Sequence, residues 1–511
     1  MSNQDQTLAG LAVIANAVVR MLAATVLCLL PVVLVVRDLA DPKLRLPAIP
    51  RSAWRLHRTL TPKFERWANE RLGSSRAAQL STQDISGTEW PLFGSVFYLW
   101  GTESLQSAWE TNRQLSVEAP REYAKKAVVA AARLVTDPQQ ATWVKTHWGT
   151  NYLKTENVFY RMLVISALTS HARLTEDTQY LALLQDQVES LSAELEASRH
   201  GVLDDYPGEC YPGDVLTAIA MIRRADGVLG TDHSDFVRRA LRGFQNRALD
   251  PHGLVPYAAQ AITGEPLGPS RGCGNSYVSL FSPEIWPDQA RDWYDRYTRF
   301  FWQEAWTAVG FREFPRDLKG YDWLFDVDAG PVLKGYGFAA CAFGVGAARA
   351  NGHFEHAFPL TAEMYAVSCP LPGGTLLVPR LLSNATDAPF LGEAAILFNL
   401  TRLPAAGFSA QTGGSIPGFT WIVLLLQATA GLIVVGGSLL TIRRWRRGTR
   451  PVVIRLPRLQ LVVWVALSVG STLLLLAGSG WWAAVALLGA QLLPRFRRHK
   501  PATAPSRNPS P

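Results

Sequence analysis

The chain has 511 residues, long enough for one large domain or two to three ordinary ones. It is 48% hydrophobic and only 18% charged, against about a quarter charged in a typical soluble domain, which points toward a membrane. The net charge is +8, but the basic excess clusters beside apolar segments (Arg443, Arg444, Arg446, Arg447, Arg450; then Arg495, Arg497, Arg498, Lys500) with no nucleic-acid motif. Topology signals or lipid headgroup contacts explain such clusters, and a nucleic-acid partner is not expected.

Residues 21–36 are uninterrupted apolar residues. Extended back to Leu11 past Arg20 they reach the length of a bilayer span, so 1–37 reads as an N-terminal anchor. The rival reading, a cleaved signal peptide, lacks a convincing small-x-small site. Residues 38–84 are basic and, over 38–80, rich in Pro and Ser; they read as a linker with some helix near the headgroups. Residues 85–405 form the central domain. Beyond it lie a span at 417–442, a transmembrane hairpin over 459–495 (a span at 459–478, then a short segment at 480–494), and a disordered tail at 496–511. The C-terminal Arg clusters favour the cytoplasm, which puts the central domain in the periplasm or outside the cell, on a multi-pass protein of the inner (cell) membrane. Arg37, Lys43, Arg45 and Arg51 after the first span argue the other way.

The central domain repeats amphipathic stretches of helical length: 91–109 with 121–135, 155–174 with 178–199, 213–230 with 234–249, 275–286 with 287–306, 328–352 with 353–368, and a last helix at 390–403. In several pairs the first member is strongly apolar and the second more charged. Inner helices of a ring touch neighbours on every side, whereas outer ones face water on one side. The expected fold is therefore all-α: an (α/α)6 toroid, or six-hairpin barrel, with one N-terminal and two to three C-terminal transmembrane helices. An open solenoid is disfavoured because the hairpins share no repeated motif.

The densest chemical constellation is 204–214, DDYPGECYPGD. Crowded carboxylates raise one another's pKa, so a protonated acid can stand beside an ionised base at neutral pH. Asp204, Asp205, Glu209 and Asp214 are the candidate catalytic acids, with Tyr206, Cys210 and Tyr211 as substrate-binding neighbours. Alternatively the loop is merely solvated and Asp214 caps the following helix. Asp326 and Asp328 precede a glycine-rich helix expected at 330–347 and offer a partner carboxylate or a cap. Asn275, Ser276 and Tyr277 offer polar groups at another helix start, as do Asp84, Glu89, Trp90 and Tyr98 at the first and Glu393 at the last. The five cysteines form no CxxC pair, and the nine histidines form no HxxxH pair, so no metal site built on Cys or His pairs is expected, while acidic loops could take Ca²⁺ without a signature.

Residues 153–174, 201–233, 253–286 and 326–350 resemble stretches of the bacterial linalool dehydratase/isomerase family, over roughly 150–400. The resemblance implies an (α/α)6 barrel, a homo-oligomer whose neighbouring subunits complete the site, and cofactor-free dehydration or isomerisation of an allylic alcohol. Glu156 and Asn157 match the family's Glu-Asn motif, and Tyr277 matches a pocket tyrosine. Asp204 stands where the family has its first catalytic cysteine, Asp214 lies near the second, and Leu163 replaces the histidine. The functional expectation is a membrane-anchored lyase or isomerase acting on a hydrophobic alcohol or alkene. The alternatives are a six-hairpin glycan hydrolase or lyase with paired mouth carboxylates, and a non-catalytic envelope assembly protein.

Overall fold

The structure is a computed structural model that describes residues 3–246, 250–447 and isolated helical positions between 462 and 490. The chain divides into two compact units, Val35–Ile422 and a second made of Met1–Leu34 with Val423–Pro511. The protein is mostly helical with a few small sheets.

The large unit holds twelve principal helices: α1 (Arg51–Leu72), α2 (Trp90–Thr111), α3 (Lys125–Thr136), α4 (Val158–Thr175), α5 (Leu181–Ala197), α6 (Pro212–Leu229), α7 (Ser234–Asn246), α8 (Gly272–Ile285), α9 (Pro287–Phe301), α10 (Phe338–Ala350), α11 (Phe354–Ser368) and α12 (Leu391–Thr401). Burial separates them into two kinds. Every residue of α4 from Val158 to His171 is buried. Its successor α5 buries a stripe of Leu184, Val188, Leu191 and Leu195, the 3–4 spacing of a helix wet on one side. Helix α2 packs on α12 and α4, α4 on α6, α6 on α8, α8 on α10, and α10 on α12. Helices α3, α5, α9 and α11 lie against α4, α4, α8 and α10 respectively.

Three expectations need correction. Residues 38–84 are not a linker throughout, because α1 buries Trp54, Leu56, Leu60 and Phe64 and packs on α3 and α12. Its apolar positions are diluted by Arg and Lys, whose stems lie along the surface while their charges stay in water. The helix expected at 330–347 begins only at Phe338; Asp328 and Gly330 instead belong to a hairpin of β3 (Trp323–Asp326) and β4 (Gly330–Leu333), to which β5 (Tyr336–Gly337) adds. Gly330, Lys334 and Gly335 have φ of 67°, 52° and 85°, left-handed positions that stop a helix. Helix α9 ends at Phe301 rather than 306, and β1 (Trp302–Glu304) turns back to pair with β2 (Val309–Phe311).

Among the described residues, two helices are long and apolar enough to cross a membrane, Val13–Leu39 and Gly418–Arg446. The first passes Pro31 without breaking. Proline has no N–H, so the Leu27 carbonyl one turn earlier loses its α-helical donor. A π-helical turn at Thr25–Leu29 absorbs the register change, and the Gln427 side chain donates to Leu27 O at 3.3 Å. A Cβ at Gly431 would lie 2.7 Å from Leu29, so the two helices approach closely there. The expected span at 459–478, the segment at 480–494 and the tail at 496–511 lie outside the described residues apart from isolated helical positions.

Candidate functional site

The N-terminal ends of several buried helices carry one continuous group of acids and tyrosines. Glu89 is the residue before α2, and its carboxylate accepts a short hydrogen bond from the Tyr206 hydroxyl. Asp214 sits in the first turn of α6. Asp205 lies in the preceding loop, buried, with one carboxylate oxygen accepting from the Tyr211 N–H at 2.6 Å. Its other oxygen makes no hydrogen bond of normal geometry, although the Phe159 backbone N–H lies beside it. Asp328 reaches the group from the β3–β4 turn and accepts from the Tyr257 hydroxyl at 2.6 Å. The loop closes tightly because Tyr206 and Glu209 exchange backbone hydrogen bonds around Gly208, whose φ is 87°.

These acids disturb one another. Burial pushes Asp214 up to about 8, with Asp328 and Glu89 adding to the effect. Burial pushes Glu89 up to about 7, against the opposing pull of the Tyr206 hydrogen bond. Asp205 is raised well above the usual carboxylate range by burial and then by Asp214. Tyr206, Tyr211 and Tyr257 are all raised, by burial first. At neutral pH the group therefore holds protons that ordinary carboxyls would have released.

The floor is aromatic. Tyr277 is buried, its ring 6.0 Å from Phe93, 5.6 Å from Phe343 and 5.4 Å from Phe281. Its hydroxyl makes no hydrogen bond of normal geometry, although Thr217 lies beside it. An unsatisfied buried hydroxyl costs free energy, so its retention among apolar rings is notable for a group facing the acids.

Beside this floor is a cluster that sequence reasoning missed. The Cys273 thiol, in the first turn of α8, donates to Glu313 at 3.0 Å, and Arg271 donates to the same carboxylate at 2.8 Å and to Asp326 at 2.9 Å. The Arg271 guanidinium lies over the Tyr257 ring at 4.3 Å. Burial and then Glu313 hold the thiol protonated, well above its ordinary pKa. Glu313 is also raised by burial, with Arg271 opposing. Tyr257, Arg271, Cys273 and Glu313 span 57 positions of the chain in ordinary-looking segments, so the only signal in the sequence was polar residues beside helix starts.

The remaining candidates make the following contacts. The Asp204 carboxylate holds the Gly208 N–H at 2.7 Å, and its own N–H donates to Glu156 at 2.9 Å. Glu156 and Asn157, at φ of 33° and 49°, form the strained entry to α4, where the Asn157 side chain donates to Tyr152 O at 2.8 Å. Asn275 is buried and donates to the Val255 and Arg271 carbonyls, both at 3.1 Å. Cys210 is buried within the loop, its carbonyl accepting from Ala259. Glu209 is exposed and accepts from Tyr211 at 3.2 Å. Asp84 caps a short turn through the Gly87 N–H at 3.0 Å, Tyr98 packs against Phe64, and Glu393 is buried against Arg380. Among the described residues, no disulfide joins the cysteines. Comparison with protein-family models and with curated proteins finds no match for this chain.

Proposed function

We propose that the unit Val35–Ile422 is an (α/α)6 toroid whose mouth is the active site of a cofactor-independent acid–base enzyme, of the linalool dehydratase/isomerase type. In support of the toroid, the order of packing α2, α4, α6, α8, α10, α12 returns to α2. The observation that carries the activity is the convergence of Glu89, Asp205, Asp214 and Asp328, from three separate segments, over the Phe93–Tyr277 floor. The apolar floor suits the hydrocarbon body of an alcohol or alkene, and the acids suit its hydroxyl.

In the dehydration direction, Asp214 holds its proton at neutral pH and delivers it to the hydroxyl oxygen as the C–O bond breaks. Glu89, titrating near 7, takes a proton from the adjacent carbon, and the C–H electron pair becomes the new double bond. Water leaves; Asp214 regains a proton from solvent and Glu89 releases one. Tyr206 orients Glu89, and Tyr257 orients Asp328. Hydration is the reverse. The two apolar helices support membrane association; a multi-pass inner-membrane protein with the domain in the periplasm, acting on substrate drawn from lipid, is the reading we adopt.

A glycan substrate is the second reading. Trp323 and Phe325 are 65% and 78% exposed on the strand that ends at Asp326, and exposed aromatics beside paired acids suit sugar stacking. The purified full-length chain is to be incubated with a panel of allylic alcohols and of oligosaccharides, following alkene formation by gas chromatography and new reducing ends by colorimetry. Asp214→Asn is expected to lower the active reaction at least 100-fold while leaving the circular dichroism unchanged. Equal turnover by Asp214→Asn would reject this site; reducing ends without alkenes would select the glycan reading.

A further inference from the structure

The geometry points to a transition-metal site, of the kind that takes Zn²⁺, formed by His353, Glu355 and His356 at the start of α11. Among the described residues these three side chains are the group whose donor atoms come close enough to share an ion: one from each, all within 4.8 Å of one another. Two imidazoles and one carboxylate are a common donor set for Zn²⁺, with a fourth position for water. Donors around a bound zinc stand about 3.4 Å apart, from bonds of about 2.1 Å, so the three groups draw closer together on binding.

Three independent features favour coordination over a chance cluster. The second Glu355 oxygen is buried and has no hydrogen-bond partner, which is costly for a carboxylate unless a cation meets it. The first Glu355 oxygen faces His353 Nδ1 at 2.6 Å, and His356 Nδ1 faces the Tyr294 hydroxyl at 3.1 Å. The Tyr294 contact occupies one His356 nitrogen and leaves the other for metal, the usual outer support of a histidine ligand. The rings are also fixed in orientation: His353 stacks on Tyr294 at 4.7 Å, and His356 lies 4.4 Å from Trp302. The side chains of His353 and Glu355 remain 19% and 27% exposed, so an ion can enter.

The position suggests what the ion does. His353 follows the C-terminal end of α10, whereas Cys273, Asp214 and Glu89 are at helix N-termini, so the site is separate from the acid cluster. The segment 409–414 lies directly over it. Phe354 N–H donates to Gln411 O at 2.9 Å, Gln411 N–H donates to Gly352 O at 2.7 Å, and a Cβ at Gly413 would be 3.2 Å from the Glu355 Cβ. That segment leads to the apolar helix beginning at Gly418. A metal here would hold the base of the strap.

The test uses the full-length chain purified in detergent with any affinity tag removed. Calorimetric titration with Zn²⁺ is expected to show one equivalent bound, and Mg²⁺ none, because a hard cation prefers an all-oxygen shell. His356→Gln and Glu355→Gln are each expected to weaken Zn²⁺ at least tenfold. Zn²⁺ is also expected to slow proteolytic cleavage within 403–417 in the wild type and not in His356→Gln. Absence of binding by the wild type, or equal affinity in variants that keep the wild-type circular dichroism, would overturn the site. Binding without protection of 403–417 would overturn the strap role.

Discussion

Asp214 shows how a single side chain links site chemistry to stability. Its carboxyl stays protonated in the folded chain up to about pH 8, whereas an ordinary aspartate loses its proton near 3.8. The folded state therefore binds a proton that the unfolded state has released, and stability falls as pH rises between those two values. Asp214→Asn removes that dependence. The variant is expected to melt higher than the wild type at pH 8, by roughly 2 °C or more, with the gap closing toward pH 4. Thermal denaturation at the two pH values measures it, and a gap that widens toward pH 4 would contradict the burial argument. The loop carrying Asp205, Tyr206 and Asp214 was legible because acids, tyrosines, prolines and glycines rarely crowd into eleven residues for solvation alone. Cys210 shares the loop and is buried, its backbone pairing with Ala259. Glu89 and Asp328 join the acids only because helix starts and a hairpin turn come together in space.

At the level of elements, the buried helices depend on small residues at their contacts. Helix α10 passes between α8 and α12, and a methyl group at Gly346 would meet the Asn399 side chain and lie 2.6 Å from Leu280. Gly346→Ala is expected to destabilise the large unit by about 1–3 kcal/mol, the usual cost of overpacking a closed core. Chemical denaturation would reveal it as a lowered midpoint with an unchanged slope. Helix α1 makes the opposite kind of test. Phe64 is 1% exposed and stacks on Tyr98 with ring centres 4.4 Å apart. Phe64→Ala is expected to cost about 3–5 kcal/mol in the same assay; a loss under about 1 kcal/mol would mean that α1 is an appendage, as a linker reading implies. Periodicity located most of the helices but not this one, because Arg and Lys stems hide its apolar face. It also missed the β3–β4 hairpin. There Leu324 packs inward while Trp323 and Phe325 point out, a period of two too short to register between helices.

For the whole molecule, the membrane assignment rests on Val13–Leu39 and Gly418–Arg446, which pack on each other through Gly431 and share the Gln427–Leu27 hydrogen bond. A half-buried polar side chain that satisfies a helix carbonyl suits hydrocarbon, where water is absent. Full-length protein in isolated membranes is expected to stay in the pellet after alkaline carbonate and to be released by detergent, as followed by immunoblot. Release by carbonate alone would make these helices surface contacts rather than spans.

Apolar runs and helical spacing by themselves determined that the chain is helical, that it carries helices of membrane length, and that acids and tyrosines crowd into one loop, since each is a property of contiguous residues. Only the tertiary structure decided which acids meet, because pKa shifts arise from burial and from charges brought together across the fold. Glu89, Asp214 and Asp328 come from positions 239 residues apart at the extremes, and the Cys273–Glu313–Arg271 cluster exists only where a helix start lies against the segment following a strand. Local pattern carries no record of such encounters; they are a consequence of how the helices pack.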